Sequence, residues 1–213
     1  MTNIFKGPEK RERKKRLFQI GVQTLEKEGW AVTRERGLGK SSVRRITKNG
    51  DSKLVSIRTT QDQWISFPPE PDGKGWITLD NVDVVLAVSV DANKPPREGW
   101  VHWLPADEMR RRFDAARKAR KEAKRVMPKR RGVWIPLYER EDDSDNVSYV
   151  GGGAGLDYPP IARVPLNGGG AFPPPNGDDD EDEADLLTIA EAKRRLAVTL
   201  GIAETSIKIT VEA

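Results

Sequence analysis

The sequence predicts an α/β (α+β) protein. It has a central mixed sheet of about five strands flanked by helices, then a disordered linker and a small C-terminal helix–strand unit. Three observations carry this. Residues 10–28 and 106–126 show helical apolar spacing. Short β-branched runs separated by turn residues lie between them. Residues 139–185 hold Gly151-Gly152-Gly153, Gly168-Gly169-Gly170, Pro173-Pro174-Pro175 and an acidic run at 178–183, a composition too poor in apolar surface to offset chain entropy. The expected divisions are a basic α/β domain over 1–138, a flexible linker over 139–185 and a C-terminal module over 186–213.

In the first helix, Leu17, Ile20, Gly21, Val22 and Leu25 follow a very basic first half, and Gly29 stops it. Trp30-Ala31-Val32 and residues 42–47 read as short strands. Asn49-Gly50 is the strongest hairpin signal and leads into a strand over 53–60. Residues 63–67 form another strand, closed by Pro68-Pro69. Residues 82–90 are almost continuously apolar, as a central strand buried on both faces would be. Residues 100–104 form a second core strand, and Pro105 opens a helix whose Met109, Phe113 and Ala116 face the sheet. Segments 133–138 and 158–164 dock back onto this body. Near the C-terminus, Thr188-Ile189-Ala190-Glu191 is a capping box, Ile189, Ala192, Leu196 and Leu200 share a helical face before Gly201, and 206–211 alternates as a strand. A unit this small buries little alone, so a protein partner through 186–213 is expected.

Composition narrows the chemistry. With no cysteine, a thiolate zinc site, an iron–sulfur cluster and a cysteine nucleophile are excluded. The single histidine, His102, lies in an apolar strand and reads as a hydrogen-bonded core or edge residue rather than a ligand, with a general-base role the lesser alternative. No run of about 18 apolar residues is present, and the charged start MTNIFKGPEKRERKKR lacks a signal-peptide core. These features predict a soluble cytoplasmic protein with no membrane partner and no cofactor.

The net charge of +4 conceals large opposite blocks. Residues 1–60 carry 16 basic and 6 acidic side chains, and residues 109–135 carry 12 and 2, each block netting +10. Residues 61–108 net −6, residues 136–185 net −11 with 13 acidic against 2 basic, and the remainder nets +1. Two basic helices, with Arg34, Arg36, Lys40, Arg44 and Arg45 between them, predict a continuous positive face for nucleic-acid phosphates, most simply duplex DNA. The phosphate contacts offered are Arg44, Arg45, Arg58, Arg111, Arg112, Lys118 and Lys121. The acidic run is either a solvating tether or a competitor for that face. The six tryptophans (30, 64, 76, 100, 103 and 134) read as stabilisers of a thin core.

Gly37-Leu38-Gly39-Lys40-Ser41 ends like a phosphate loop, but Arg34 occupies the place of the first glycine and a strand follows, so it reads as a basic surface loop.

The order of elements across 10–125 resembles the PD-(D/E)XK nuclease superfamily. The resemblance rests on Gly29-Trp30-Ala31-Val32, the hairpin at Asn49-Gly50, Leu54-Val55-Ser56-Ile57-Arg58-Thr59-Thr60, Val82-Asp83-Val84-Val85 and Val101-His102-Trp103-Leu104-Pro105-Ala106-Asp107-Glu108. It implies an Asp on the second strand and Glu-x-Lys on the third, binding magnesium. Here Ser56 and Arg58 stand at the Glu-x-Lys place and Ser42-Val43-Arg44-Arg45 where the Asp belongs. Magnesium needs hard carboxylate oxygens, so the expectation is a non-catalytic nucleic-acid-binding protein on a nuclease-like scaffold. The alternatives are a magnesium-dependent DNA endonuclease with relocated carboxylates, Asp51, Asp62 and Asp83, or an adaptor binding an acidic protein partner.

Overall fold

The computed structural model describes residues 7–35, 42–125, 132–141, 146–166, 193, 197 and 203–208. The chain divides into two units, Met1–Pro175 and Asn176–Ala213. The elements of the first are α1 (Pro8–Lys27), β1 (Ala31–Arg34), β2 (Val43–Lys48), β3 (Asp51–Thr60), β4 (Trp64–Phe67), β5 (Val84–Val90), β6 (Glu98–Pro105), α2 (Ala106–Glu122), β7 (Val133–Pro136), α3 (Ala154–Asp157) and β8 (Ala162–Pro165). A mixed sheet of six strands runs in the order β1-β2-β3-β5-β6-β8, and β4 and β7 form a separate two-stranded ribbon.

Asn49 and Gly50 turn the β2–β3 hairpin with φ of 52° and 88°, the left-handed pair that a type I′ turn requires. β3 and β5 are parallel neighbours, which a tight turn cannot join. Residues 61–83 make the crossing, using β4 and a 3-10 turn at Leu79–Asn81 where a helix is the usual solution.

All seven residues of β5 are buried, as its apolar run predicts. Their alternation divides the core. Val84, Leu86, Val88 and Val90 cluster with Leu17, Ile20 and Leu25 of α1. Val85 and Ala87 cluster with Met109, Phe113 and Ala116 of α2 and with Ile65 and Phe67 of β4. α1 and α2 therefore cover opposite faces of the sheet. The Phe113 ring meets Phe67 at 5.2 Å and Trp76 at 5.3 Å between centroids, joining α2, β4 and the 70s loop.

The segment after residue 138, read from composition as linker, contributes to this unit. β8 pairs with β6 as an edge strand, and Gly152, Gly153, Ala154 and Gly155 are buried. Their small size has a steric cause. A Cβ on Gly152 would lie 2.3 Å from the Glu139 carbonyl oxygen, and one on Gly155 would lie 2.6 Å from the Tyr138 ring.

The expectations placed on Gly37–Ser41, Gly168–Gly170, Pro173–Pro175 and the acidic run lie outside the described residues, as does nearly all of the C-terminal helix and strand. In the second unit, Lys193 and Ala197 are helical and Glu204–Ser206 is a 3-10 turn. No helix among the described residues is long and apolar enough to cross a membrane.

Candidate nucleic-acid interface

α1 begins beside the end of β3. The Gln61 amide donates to the Lys10 carbonyl at 2.8 Å and accepts from Arg13 at 3.3 Å. One turn on, Arg16 donates to the Pro165 carbonyl at the end of β8. Residues 8–16 hold six cations and two carboxylates, and Lys10, Arg11 and Lys15 are exposed. Cations at a helix N-terminus oppose the macrodipole at a cost of about 0.3–1 kcal/mol each. The helix dipole does not account for them.

α2 starts at the other end of the sheet, where the Ala106 N–H donates to the Asp83 carbonyl just before β5. Its first turn carries Asp107 and Glu108 and its last Arg120 and Lys121, in keeping with the dipole. Arg120 donates to the carbonyls of Trp134 (2.5 Å) and Ser148 (3.3 Å), and Arg125 donates to the Ser148 hydroxyl at 3.1 Å. The adjacent Tyr149 ring stands edge-on to Trp64, with centroids 5.7 Å apart. Trp64 follows Gln61 through a turn closed by Asp62, whose carboxylate accepts from the Thr60 hydroxyl and the Trp64 N–H. Side-chain contacts together with the 61–64 turn and the Ser148-Tyr149 pair thus link Arg13 to Arg125. The cationic ends of helices on opposite faces approach one end of the sheet, with aromatic side chains between them.

The structure distributes the seven sequence-derived cations unequally. Lys118 and Lys121 are exposed on the outer side of α2, Lys118 at 4.0 Å from Glu122. Arg111 is exposed and paired with Glu108. Arg112 is drawn inward, bonded to Glu108, Asp157 and the Gly152 carbonyl. Strand alternation sends the neighbours Arg44 and Arg45 to opposite faces. Arg44 is 6% exposed, its guanidinium 4.8 Å over the Phe18 ring, and Arg45 pairs with Glu35 at 2.8 Å. Arg58 stacks 4.3 Å over Phe67. The single continuous surface expected from both helices and β2 is not formed by these seven, because the packing of two opposed layers takes up several of them.

The candidate carboxylates do not converge. Asp51 opens β3 and Asp62 lies beyond its end, roughly 30 Å away at about 3.3 Å of strand rise per residue. Asp83 accepts from the Leu54 N–H at 2.7 Å. Ser56, at the place of the metal-binding Glu, is fully buried. Among the described residues no group of three or more His, Asp and Glu could hold a metal ion.

The chain matches no protein-family model, no curated protein and no solved structure.

Beside α2, a cleft of about 330 Å³ is lined by Arg111, Arg112, Arg140, Glu141, Gly152 and Asp157 among others. Asp157 bonds both Arg112 and Arg140 at 2.5 Å, so the arginines there are already matched by carboxylates. Trp134, assigned to the core from composition, is 47% exposed instead. The signal was present in Val133-Trp134-Ile135, since a strand that buries both flanking residues turns the middle one outward.

Proposed function

We propose that this protein binds nucleic acid without cleaving it, through phosphate contacts made by the outer and C-terminal part of α2 and the first turns of α1, on a scaffold resembling the PD-(D/E)XK nucleases. The observation that carries this reading is the approach of two cation-rich helix ends to one end of the sheet, one of them against its own helix dipole. The scaffold reading is supported by α1, the antiparallel β1–β2–β3 and a next sheet strand parallel to β3. Ser56 and Arg58 on β3 supply no carboxylate for a hydrolytic metal, and no hydrolytic role is assigned to this surface.

The test is a gel shift with random-sequence duplex DNA. Binding is expected at about 50 mM salt, with log K falling against log salt by about 0.9 per phosphate neutralised. Joint Lys118→Glu and Lys121→Glu substitution should weaken it at least tenfold and flatten the salt slope. Absence of a shift at about 50 mM salt with both the duplex and a single strand of equal length would remove the reading.

A further inference from the structure

The outer face of the β4–β7 ribbon is aromatic. Ile65, Phe67, Val133 and Ile135 point into the core, so alternation turns Trp64, Ser66, Trp134 and Pro136 outward. The register sets Trp64 opposite Pro136 and Ser66 opposite Trp134. Tyr149 covers Trp64, and Gly152 lies so close to Pro136 that a Cβ there would be 2.8 Å from its ring. Trp134 alone of the four is left exposed.

The other five tryptophans have ring partners. Trp30 stacks on Trp103, Trp64 meets Tyr149, Trp76 meets Phe113 and Trp100 meets Tyr138. Among the described residues, the Trp134 ring has neither an aromatic nor a cationic partner. Its backbone is nevertheless held, since Arg120 of α2 donates to its carbonyl at 2.5 Å. That bond ties the strand bearing the exposed indole to the C-terminal half of α2, which carries exposed Lys118 and Lys121 and is followed by exposed Arg125.

We propose that Trp134 is a stacking platform for an unpaired base, and that the nucleic acid bound here is single-stranded, its phosphates following Lys118, Lys121 and Arg125. This rests on the nucleic-acid reading above and narrows it. An indole face on a strand can meet the face of a base only when that base has left its duplex stack. Stacking on aromatic side chains flanked by cations is how single strands are held without sequence preference. Cations alone would hold either form of nucleic acid; the open ring separates them.

The test uses the full chain and three labelled probes in fluorescence anisotropy at about 50 mM salt: oligo-dT, an abasic strand of equal length and a random-sequence duplex. Trp134→Ala should weaken oligo-dT binding roughly ten- to a hundredfold, the range for loss of a base–aromatic stack. Trp134→Phe should restore most of it. Both variants should bind duplex and abasic strand within twofold of the parent and should unfold at the parent's temperature. The ratio between parent and Trp134→Ala on oligo-dT should persist at raised salt, as a cation contact's would not. Equal loss on all three probes would overturn the proposal by making the ring a support for the cations. Unchanged oligo-dT binding by Trp134→Ala would overturn it too, assigning the ring to a protein contact while the phosphate reading stands. A parent that binds no probe would remove both.

Discussion

His102 stands in β6 with no exposed surface. Its Nδ1 is 2.7 Å from the Tyr158 carbonyl, which can only accept, so Nδ1 carries the proton. Nε2 then accepts from the Tyr138 hydroxyl at 2.7 Å, and the Ser89 hydroxyl donates to the Tyr138 oxygen at 2.5 Å. Burial lowers the imidazole pKa, the bond to Tyr158 works against it, and Arg163 lowers it further. Burial likewise raises the Tyr138 pKa. The chain is a set of satisfied neutral groups, which fits the core reading of this histidine. In the unfolded state His102 takes up a proton near pH 6.5; in the folded state it does so only at lower pH. The unfolded state thus binds more protons below about pH 6.5, and stability is lost as pH falls through that window. The urea midpoint should drop between pH 7 and 5.5, and His102→Gln should remove that part of the slope. Because the chain has one histidine, its ring C–H resonance gives a direct check: a titration midpoint at or above 6.5 would contradict the assignment. The apolar flanks Val101 and Trp103 made burial legible, but the partners at 138 and 158 arrive through long-range packing.

Elements set by local chemistry were readable: the Asn49-Gly50 turn, the unbroken apolar run of β5 and the Met109, Phe113, Ala116 stripe of α2. Those set by contact with distant chain were not. The glycines at 151–155 average into a linker-like composition, yet each is small because something is already there. Gly151 has φ 81°, and a Cβ on it would lie 2.3 Å from the Arg112 carbonyl oxygen. Gly151→Ala should therefore cost about 1–3 kcal/mol from backbone strain, with the clash added, read as a fall in urea midpoint. A midpoint within error of the parent would mean that the loop is loosely held. The contacts of the α2 arginines are not legible for a related reason. A run of arginines looks alike whether it faces phosphates or main-chain oxygens, and only the fold distinguishes them. The outward turn of Trp134 is legible in the alternation of β7, where Val133 and Ile135 are buried on either side of it.

For the molecule as a whole, segregated charge is the property the sequence conveyed best and located worst. It marked two basic helices but could not reveal that they lie on opposite faces and approach each other only near one end of the sheet. That depends on the parallel pairing of β3 with β5, which no local pattern encodes. The arginines of α2 also bind the surrounding chain together. Arg110, Arg112, Arg117 and Arg120 donate to the carbonyls of Leu79, Gly152, Gly73 and Trp134, so one helix holds the 70s loop, the ribbon and the glycine segment. If α2 lifts, all of these lose their anchor together. Amide hydrogens of Ile77, Ile135, Leu137 and Gly155 should accordingly exchange with deuterium through one common opening, with similar protection and a shared dependence on denaturant. Arg117→Met, which keeps much of the side-chain bulk but removes the bond to Gly73, should then lower the protection of all four amides together, including those far from Gly73. Separate rates in each segment would show instead that they open independently. The helix that looks most like a binding element would then also be the one that makes this half of the protein unfold as a single cooperative unit.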